Sequence, residues 1–497
     1  MNWLLRLCVI FIFCTLGCTK QPEIPKNHIL AKVGSFTITI QDFIRRAEYA
    51  IRPSYCRQSN YVHKKIILNS LIGEKLTALE FETGPNLNPT NNDLELFLQG
   101  RKEQAMRQVH YANEFYSTVE IQEGALKKAY DIAGRRISVQ YLNLPDLKIV
   151  EKIRNLTEEG IPLDSIHNSL WGGSAPAREI SWFDRGQNDV HKVLFNRGIK
   201  KGQLLGPFTT EDSTYVIMAV KGWVDQPVIT ESDQNQRWGD VKERLTEKKA
   251  KEKYFGWVEN LMRGKEMKLN PVIFYKYSNR AADYFFKMDS VKQNALNQAI
   301  WDEPAILDQS TIIVDHRDLE LDPNSILLKY NGKDWTVKDF NEKLKTHPFV
   351  FRKRKMNRSE FPEQLRFAIA DFFRDIEITK KCYEQGYDKY WSVDTHVDMW
   401  RGATLSRKFT SYLRINNNHI TNQDQWLDFM NPIMDSLQKK YSDQIEINMN
   451  AFESIELTST DMVVTQRGVP FVKVVPSFPI ITTDSRIDYG SKSKLDD

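Results

Sequence analysis

Two stretches of this chain, one starting at Lys32 and the other 297 positions further on at Lys329, follow one pattern. Lys32 to Phe43 runs KVGSFTITIQDF and Lys329 to Phe340 runs KYNGKDWTVKDF. Each pattern specifies a short strand, a turn and a second strand. A helix follows, N-capped by the Thr of a T-[IV]-x-D-F motif with Asp in its first turn. A second match pairs Leu76–Gly84 with Ile378–Gly386, each the end of a helix stopped by a glycine C-cap. After each glycine come a short loop, holding Pro89 and Thr90 or Val393 and Asp394, and a further long helix, Leu94 to Tyr116 or Thr395 to Tyr412. The offset grows from 297 to 302, so the second copy carries five extra residues in the connection near Arg352. At roughly 150 residues per domain, 497 residues make about three domains. The chain must therefore house other folded material between the copies.

Part of that material is a strand–helix–strand pattern. Ile137–Leu144 alternates as a strand, Asp146–Glu159 is a charged amphipathic helix, and Ile180-Ser-Trp-Phe-Asp-Arg-Gly186 forms a turn. Val193-Leu-Phe195, the turn Lys201–Phe208 and a closing strand Thr214–Val220 complete it. This order resembles the parvulin family of prolyl isomerases, with its first strand, helix, W-F turn, A-F-x-L helix and closing strand. In that family the first and last strands each carry a histidine; the matching positions here are Tyr141 and Val216. The resemblance implies an α+β domain with a peptide pocket whose candidate residues are Tyr141, Trp182, Phe183, Phe195, Phe208 and Val216. None of them is assigned as catalytic. Rotation about an X-Pro bond faces a barrier of about 20 kcal/mol from amide resonance. A catalyst must favour the twisted amide over the planar one. Tyr141 retains a hydroxyl for that task and Val216 retains nothing. For each aromatic, the plainer alternative is core packing of a small domain.

The first copy also resembles the N-terminal helical module of SurA/PrsA-type periplasmic foldases. The order is theirs too: helical module, parvulin domain, return helix. Here the return helix is Thr230–Lys265, with Trp238, Val241, Leu245, Tyr254, Phe255, Val258, Leu261 and Met262 on one face and Lys242–Lys253 as a solvated middle. The resemblance implies that this helix packs back on the first module. The resulting fold class is multidomain α+β, a duplicated SurA-N-like helical module with an inserted parvulin-like domain. Its parts are a signal peptide (1–17), a lipidated linker (18–29), the first module (30–130), the parvulin-like domain (135–225), the return helix (230–268), a bridge (269–325), the second module (326–418) and a C-terminal helix with a β-like segment and disordered tail (419–497). Within the last part, Asp461–Val475 reads as strand-like and Ser485–Asp497 as the polar tail.

The N-terminus reads as a targeting segment. An apolar run, Leu7–Leu16, ends in Thr15-Leu-Gly-Cys18, which resembles a bacterial lipobox and implies a lipidated Cys18. Thr19 after it favours the outer membrane over the inner. Of five cysteines only Cys56 and Cys382 lie in the body of the chain, too far apart in sequence to pair unless their domains touch. The nine histidines are scattered without metal-ligand spacing and read as surface or capping residues. No phosphate loop or nucleophile elbow stands out. The loop Trp171–Pro176 would lie at the rim of a parvulin-like pocket, and the basic run Phe351–Arg358 reads as a solvated loop or a site for anionic headgroups.

With 69 basic and 65 acidic residues, net charge suggests no polyanionic partner. The expected partners are unfolded envelope or outer-membrane proteins, and the membrane through the N-terminal lipid. Nucleic acid, a small-molecule substrate, a cofactor and a metal are not expected. These readings converge on an envelope chaperone with weak or lost isomerase activity. The alternatives are an active prolyl isomerase and a non-catalytic scaffold lipoprotein of an assembly machine.

Overall fold

The two matching stretches fold into the same run of elements. The computed structural model describes residues 28–84, 92–182, 184, 188–210, 214–298, 321–353, 356–417, 419–457 and 474–493. The expected signal segment, Cys18, Phe183 and most of the strand-like region 461–475 lie outside them. In the first copy β1 (Ile29–Val33) turns at Gly34, whose φ of 56° favours glycine, into β2 (Phe36–Thr39). Thr39 caps α1 (Ile40–Glu48) by accepting from the Asp42 N–H at 3.0 Å. Then come α2 (Tyr61–Thr83) and α3 (Asn92–Tyr111), the latter ending in a π turn, Ala112–Tyr116.

An inserted segment follows: α4 (Glu123–Ala133), β3 (Arg135–Leu144), α5 (Leu147–Glu158), α6 (Leu163–Trp171), β4 (Ala177–Ser181), α7 (Asn188–Leu194), β5 (Leu204–Thr209) and β6 (Tyr215–Asp225). The long α8 (Glu231–Met262), β7 (Met267–Leu269) and α9 (Pro271–Gln298) lead into the second copy.

There β8 (Ile326–Tyr330) and β9 (Lys333–Thr336) meet at Asn331-Gly332, both at positive φ, the pairing that two-residue hairpins favour. Thr336 and Asp339 form a full capping box on α10 (Val337–Leu344). Then α11 (Phe361–Glu384) and α12 (Trp391–Asn416) repeat the long helix pair, and α13 (Gln423–Lys440), β10 (Ile445–Asn448), α14 (Met449–Ser454) and β11 (Ser491–Ser493) close the chain.

The copies exchange their later elements. Met399, Trp400, Leu405 and Phe409 of α12 share one buried core with Leu71, Ile72 and Leu76 of α2. Reciprocally, Ala105 and Met106 of α3 share a core with Ile378 and Cys382 of α11. The strands follow the same rule. β10 pairs antiparallel with β1, with Ala31 opposite Ile447, and β7 pairs antiparallel with β8, with Lys268 opposite Lys329. Two local patterns accompany this. Met267-Lys-Leu-Asn270 and Ile445-Glu-Ile-Asn448 each end in an Asn whose side chain accepts from the helix that follows, Asn448 from the Ala451 N–H at 3.0 Å and Asn270 from the Val272 N–H at 3.2 Å. Gly100 and Gly402, 302 residues apart like the helix-end match, sit at close approaches, Gly100 to the turn after α10 and Gly402 to Lys75 of α2. A Cβ on Gly100 would lie 2.4 Å from the Thr346 carbonyl oxygen, and one on Gly402 would lie 2.4 Å from Lys75 Nζ.

This exchange revises several expectations. The return helix, α8, packs on α3, the π turn and α4 of the first module, as expected, but also reaches α11 of the second. Its distal half buries Ala250 and Tyr254 against α3, α11 and the π turn, because α3 itself has crossed to the second copy. Phe255, placed on its apolar face by helical spacing, is 58% exposed. The bridge includes an ordered strand and helix that complete the second copy, with Tyr277 donating to the Asn341 carbonyl at 2.8 Å. The C-terminal tail is not free: buried Ile487 and half-buried Tyr489, whose hydroxyl donates to Asn69, hold it on α2, and β11 runs parallel to β10. Gly386 adopts the left-handed C-cap conformation, but Gly84 is extended at φ −69°. In the basic run, Arg352 pairs with Asp371, Lys353 with Glu360 and Arg358 with Asp283, which removes three of its cations from the role of an open anion site. Cys56 and Cys382 are free thiols in separate cores, each pushed up to about 12, by burial first. His110, His347 and His396 are buried, contrary to a surface or capping role. Among the described residues no helix is long and apolar enough to cross a membrane.

Candidate functional site

Alternation along β3 divides the inserted sheet into two faces. Leu142 and Leu144, with Ile217 of β6, pack under α5 and α6. Ile137, Val139 and Tyr141, with Val216, Met218 and Val220 of β6, point the other way. The sheet order is β4-β3-β6-β5, antiparallel throughout, and a register shift after Ser138 bends the β3–β6 pair.

The second face is roofed rather than open. Leu126, Ala129 and Ile132 of α4 and Val241 of α8 join its core, with Trp238 against the Tyr130 ring at 5.4 Å. Between this roof, α7 and the sheet lies a cavity of ≈1040 Å³. Val139, Ile180, Trp182, Phe195, Val216 and Met218 form its apolar wall, and Tyr141 and Asn143 contribute polar groups. Basic side chains enter from all sides: Lys128 from α4, Arg178 from β4, Lys192 from α7, Arg197 after it, and Arg244, Lys248 and Lys251 from α8. Among the described residues Asp184 and Glu247 are the acidic ones of the lining.

Four sequence candidates meet here: Tyr141, Trp182, Phe195 and Val216 all line the cavity. Tyr141 is paired with Met218 and Val216 with Asn143, so the two positions that carry histidine in parvulins are diagonal neighbours on one face. Phe208 is buried in the core beside β6 and does not line the cavity. The Trp171–Pro176 loop is not part of the rim either. It leaves α6 on the opposite face, with Leu170 55% and Trp171 53% exposed.

One histidine does enter the cavity, and sequence reasoning passed over it. His191 lies between the Trp182 and Phe195 rings, 4.6 Å from each centroid, with Nε2 3.1 Å from the Trp182 carbonyl oxygen. Burial first, then the Arg244 guanidinium, pushes its pKa down to about 3, so it is neutral. In a neutral ring that contact makes Nε2 the donor. Arg244 Nη1 donates to the same carbonyl at 2.7 Å and ties the return helix to the sheet. Trp182 is 4% exposed, and its Nε1–H has no acceptor among the described residues. The return-helix cations were missed because a charged helix run normally faces solvent; the i, i+4, i+7 spacing of Arg244, Lys248 and Lys251 was the available signal.

No family model matches the chain, and no curated protein matches it. Among solved structures it is similar to the peptidylprolyl isomerase PrsA from Bacillus cereus, at 14% identity and a TM-score of 0.20, covering 44% of this chain and 84% of that one. It is likewise similar to the foldase protein PrsA from Streptococcus pneumoniae, at 14% identity and a TM-score of 0.19, covering 44% and 86%. The functional reading therefore rests on the chain's own residues.

Proposed function

We propose that this protein is a lipid-anchored cell-envelope chaperone of the parvulin type. It holds extended segments of unfolded secreted or outer-membrane proteins, and its prolyl isomerase activity is weak or lost. The observation that carries the reading is the cavity on the inserted sheet: large enough for several side chains, apolar on its wall, and lined by residues from the sheet and three helices. An extended chain laid in it buries apolar groups there, at about 25 cal/mol per Å² of apolar surface removed from water.

The same residues argue against efficient isomerisation. Favouring a twisted amide requires polar groups aimed at the carbonyl or nitrogen that changes in the transition state. Val216 supplies none, and His191 directs Nε2 at the Trp182 carbonyl. Tyr141 and Asn143 remain as hydrogen-bonding groups on the sheet face. A holder needs only affinity, and several weak sites on one client raise it further. Anchorage through a lipidated Cys18, on the periplasmic side of the outer membrane, would keep the holder where such clients emerge.

One preparation of the purified protein tests both parts. It should slow aggregation of an unfolded outer-membrane protein while leaving a proline-tetrapeptide assay near the uncatalysed rate. A parvulin-like rate would replace this reading with that of an active isomerase. Absence of both activities, with one stoichiometric partner on co-purification, would favour an assembly scaffold.

A further inference from the structure

We propose that the cavity selects client segments in which side-chain carboxylates flank an apolar or aromatic residue; this rests on the reading of the cavity as a peptide-holding site. Among the described residues seven basic ones line it against two acidic ones, and His191 is neutral. That local excess is larger than the net charge of +4 carried by the entire chain. Lys128, Arg178, Lys192 and Lys248 make no side-chain hydrogen bond or ion pair among the described residues, and they belong to four different elements. The positive charge is therefore not the solvated face of one helix. It converges on a concave site with low-dielectric walls, where the field is focused and a matching counter-charge is attracted.

The apolar wall explains why the occupant is a peptide with mixed chemistry rather than a bare anion. Trp182, Phe195 and Met218 offer surface for a ring or aliphatic group. Basic segments are excluded by the same field, so charge gives discrimination more than raw affinity.

The test is fluorescence anisotropy with the full purified protein and three labelled peptides of equal length and identical apolar residues. Their flanking positions are acidic, neutral or lysine. All are amidated at the C-terminus, so that only side-chain carboxylates are offered. The acidic peptide should bind roughly tenfold tighter than the neutral one, a gap that narrows as salt shortens the Debye length below ~8 Å. The double variant Lys192→Glu/Lys248→Glu should bring that ratio close to one, whereas Lys439→Glu, on the exposed end of α13, should keep it. Equal binding of acidic and neutral peptides, or an acidic preference that survives the double variant, overturns the selection while leaving the holding function standing. A fourth peptide, neutral at its flanks and with a free C-terminus, is the control: tight binding of it alone also overturns the selection, in favour of chain-end capture. If no peptide binds, the holding function itself fails.

Discussion

The helical body and the inserted domain treat charge in opposite ways. Where α12 crosses α2, Arg46 grips Glu74 with two hydrogen bonds of 3.1 and 2.7 Å, and Lys75 donates to the same carboxylate at 3.1 Å. Burial alone would raise the Glu74 pKa; Arg46 and Lys75 outweigh it and hold the group below its ordinary value. Where α3 crosses α11, Asp375 and Glu103 lie around His347, with Arg107 and Arg374 beside Asp375 and Lys343 beside Glu103. In the cavity, by contrast, four cations stand without partners among the described residues. A desolvated charge without a counter-ion is costly, so charges inside the body must be matched when the chain folds. Unmatched charges persist only at a site that water or a ligand can fill. One set of ions holds the exchanged halves together; the other is available to bind.

The largest expected effect follows from breaking a matched set. Glu74→Ala leaves Arg46 and Lys75 buried without their carboxylate and should cost about 3–5 kcal/mol. Lys192→Ala in the cavity should change stability by no more than about 0.5 kcal/mol. Chemical denaturation reads both, and equal losses would erase the contrast drawn here. The two close-packed glycines come next. A methyl at position 100 meets backbone and one at position 402 meets a lysine side chain. Gly100→Ala should therefore lose roughly 1–3 kcal/mol and Gly402→Ala less; the reverse order in thermal melts would mean that α3 packs loosely on the turn after α10.

How much of this was legible in the sequence divides along the same line. The hairpins and the Thr39 and Thr336 caps depend on residues a few positions apart, and local chemistry encodes them; the sheet face that joins Tyr141 and Val216, 75 positions apart, was reached only through the family resemblance. The exchange of α3 with α12, and of β7 with β10, depends on which of two similar partners each element meets across hundreds of residues. Its traces, the matched Asn270 and Asn448 and the matched Gly100 and Gly402, gain meaning only when the copies are seen against each other. The cationic lining was hidden for a different reason. A run such as Lys242–Lys253 looks the same whether its cations face bulk water or a cavity.

Acid should loosen the helical body in a defined direction. Burial works against the charged forms of Asp375 and Glu103, but His347 and the neighbouring cations hold both carboxyls below their ordinary values. Glu74 is shifted the same way. A carboxyl lowered in the folded state contributes stability that is complete above the unfolded value of about 4 and is lost as pH falls through the folded value. Melting temperature should thus drop more between neutral and strongly acidic pH in the parent than in Asp375→Asn. Parallel pH profiles for the two would sink this assignment. Smaller still is the effect of restoring imidazoles to the sheet face. Tyr141→His/Val216→His should raise a proline-tetrapeptide rate measurably above the parent, and no change would mean that the roof of α4 and α8 keeps proline out.

The central claim, that the cavity is where an unfolded chain is held, is tested most directly by placing a photo-crosslinking amino acid at single positions of the full protein and adding an unfolded outer-membrane protein. Met218 lies in the cavity wall, and Tyr412 lies 48% exposed on α12, outside the lining. Crosslinks to the client should form strongly from position 218 and weakly from position 412. Equal yields from both positions, or crosslinks from 412 alone, would contradict the account.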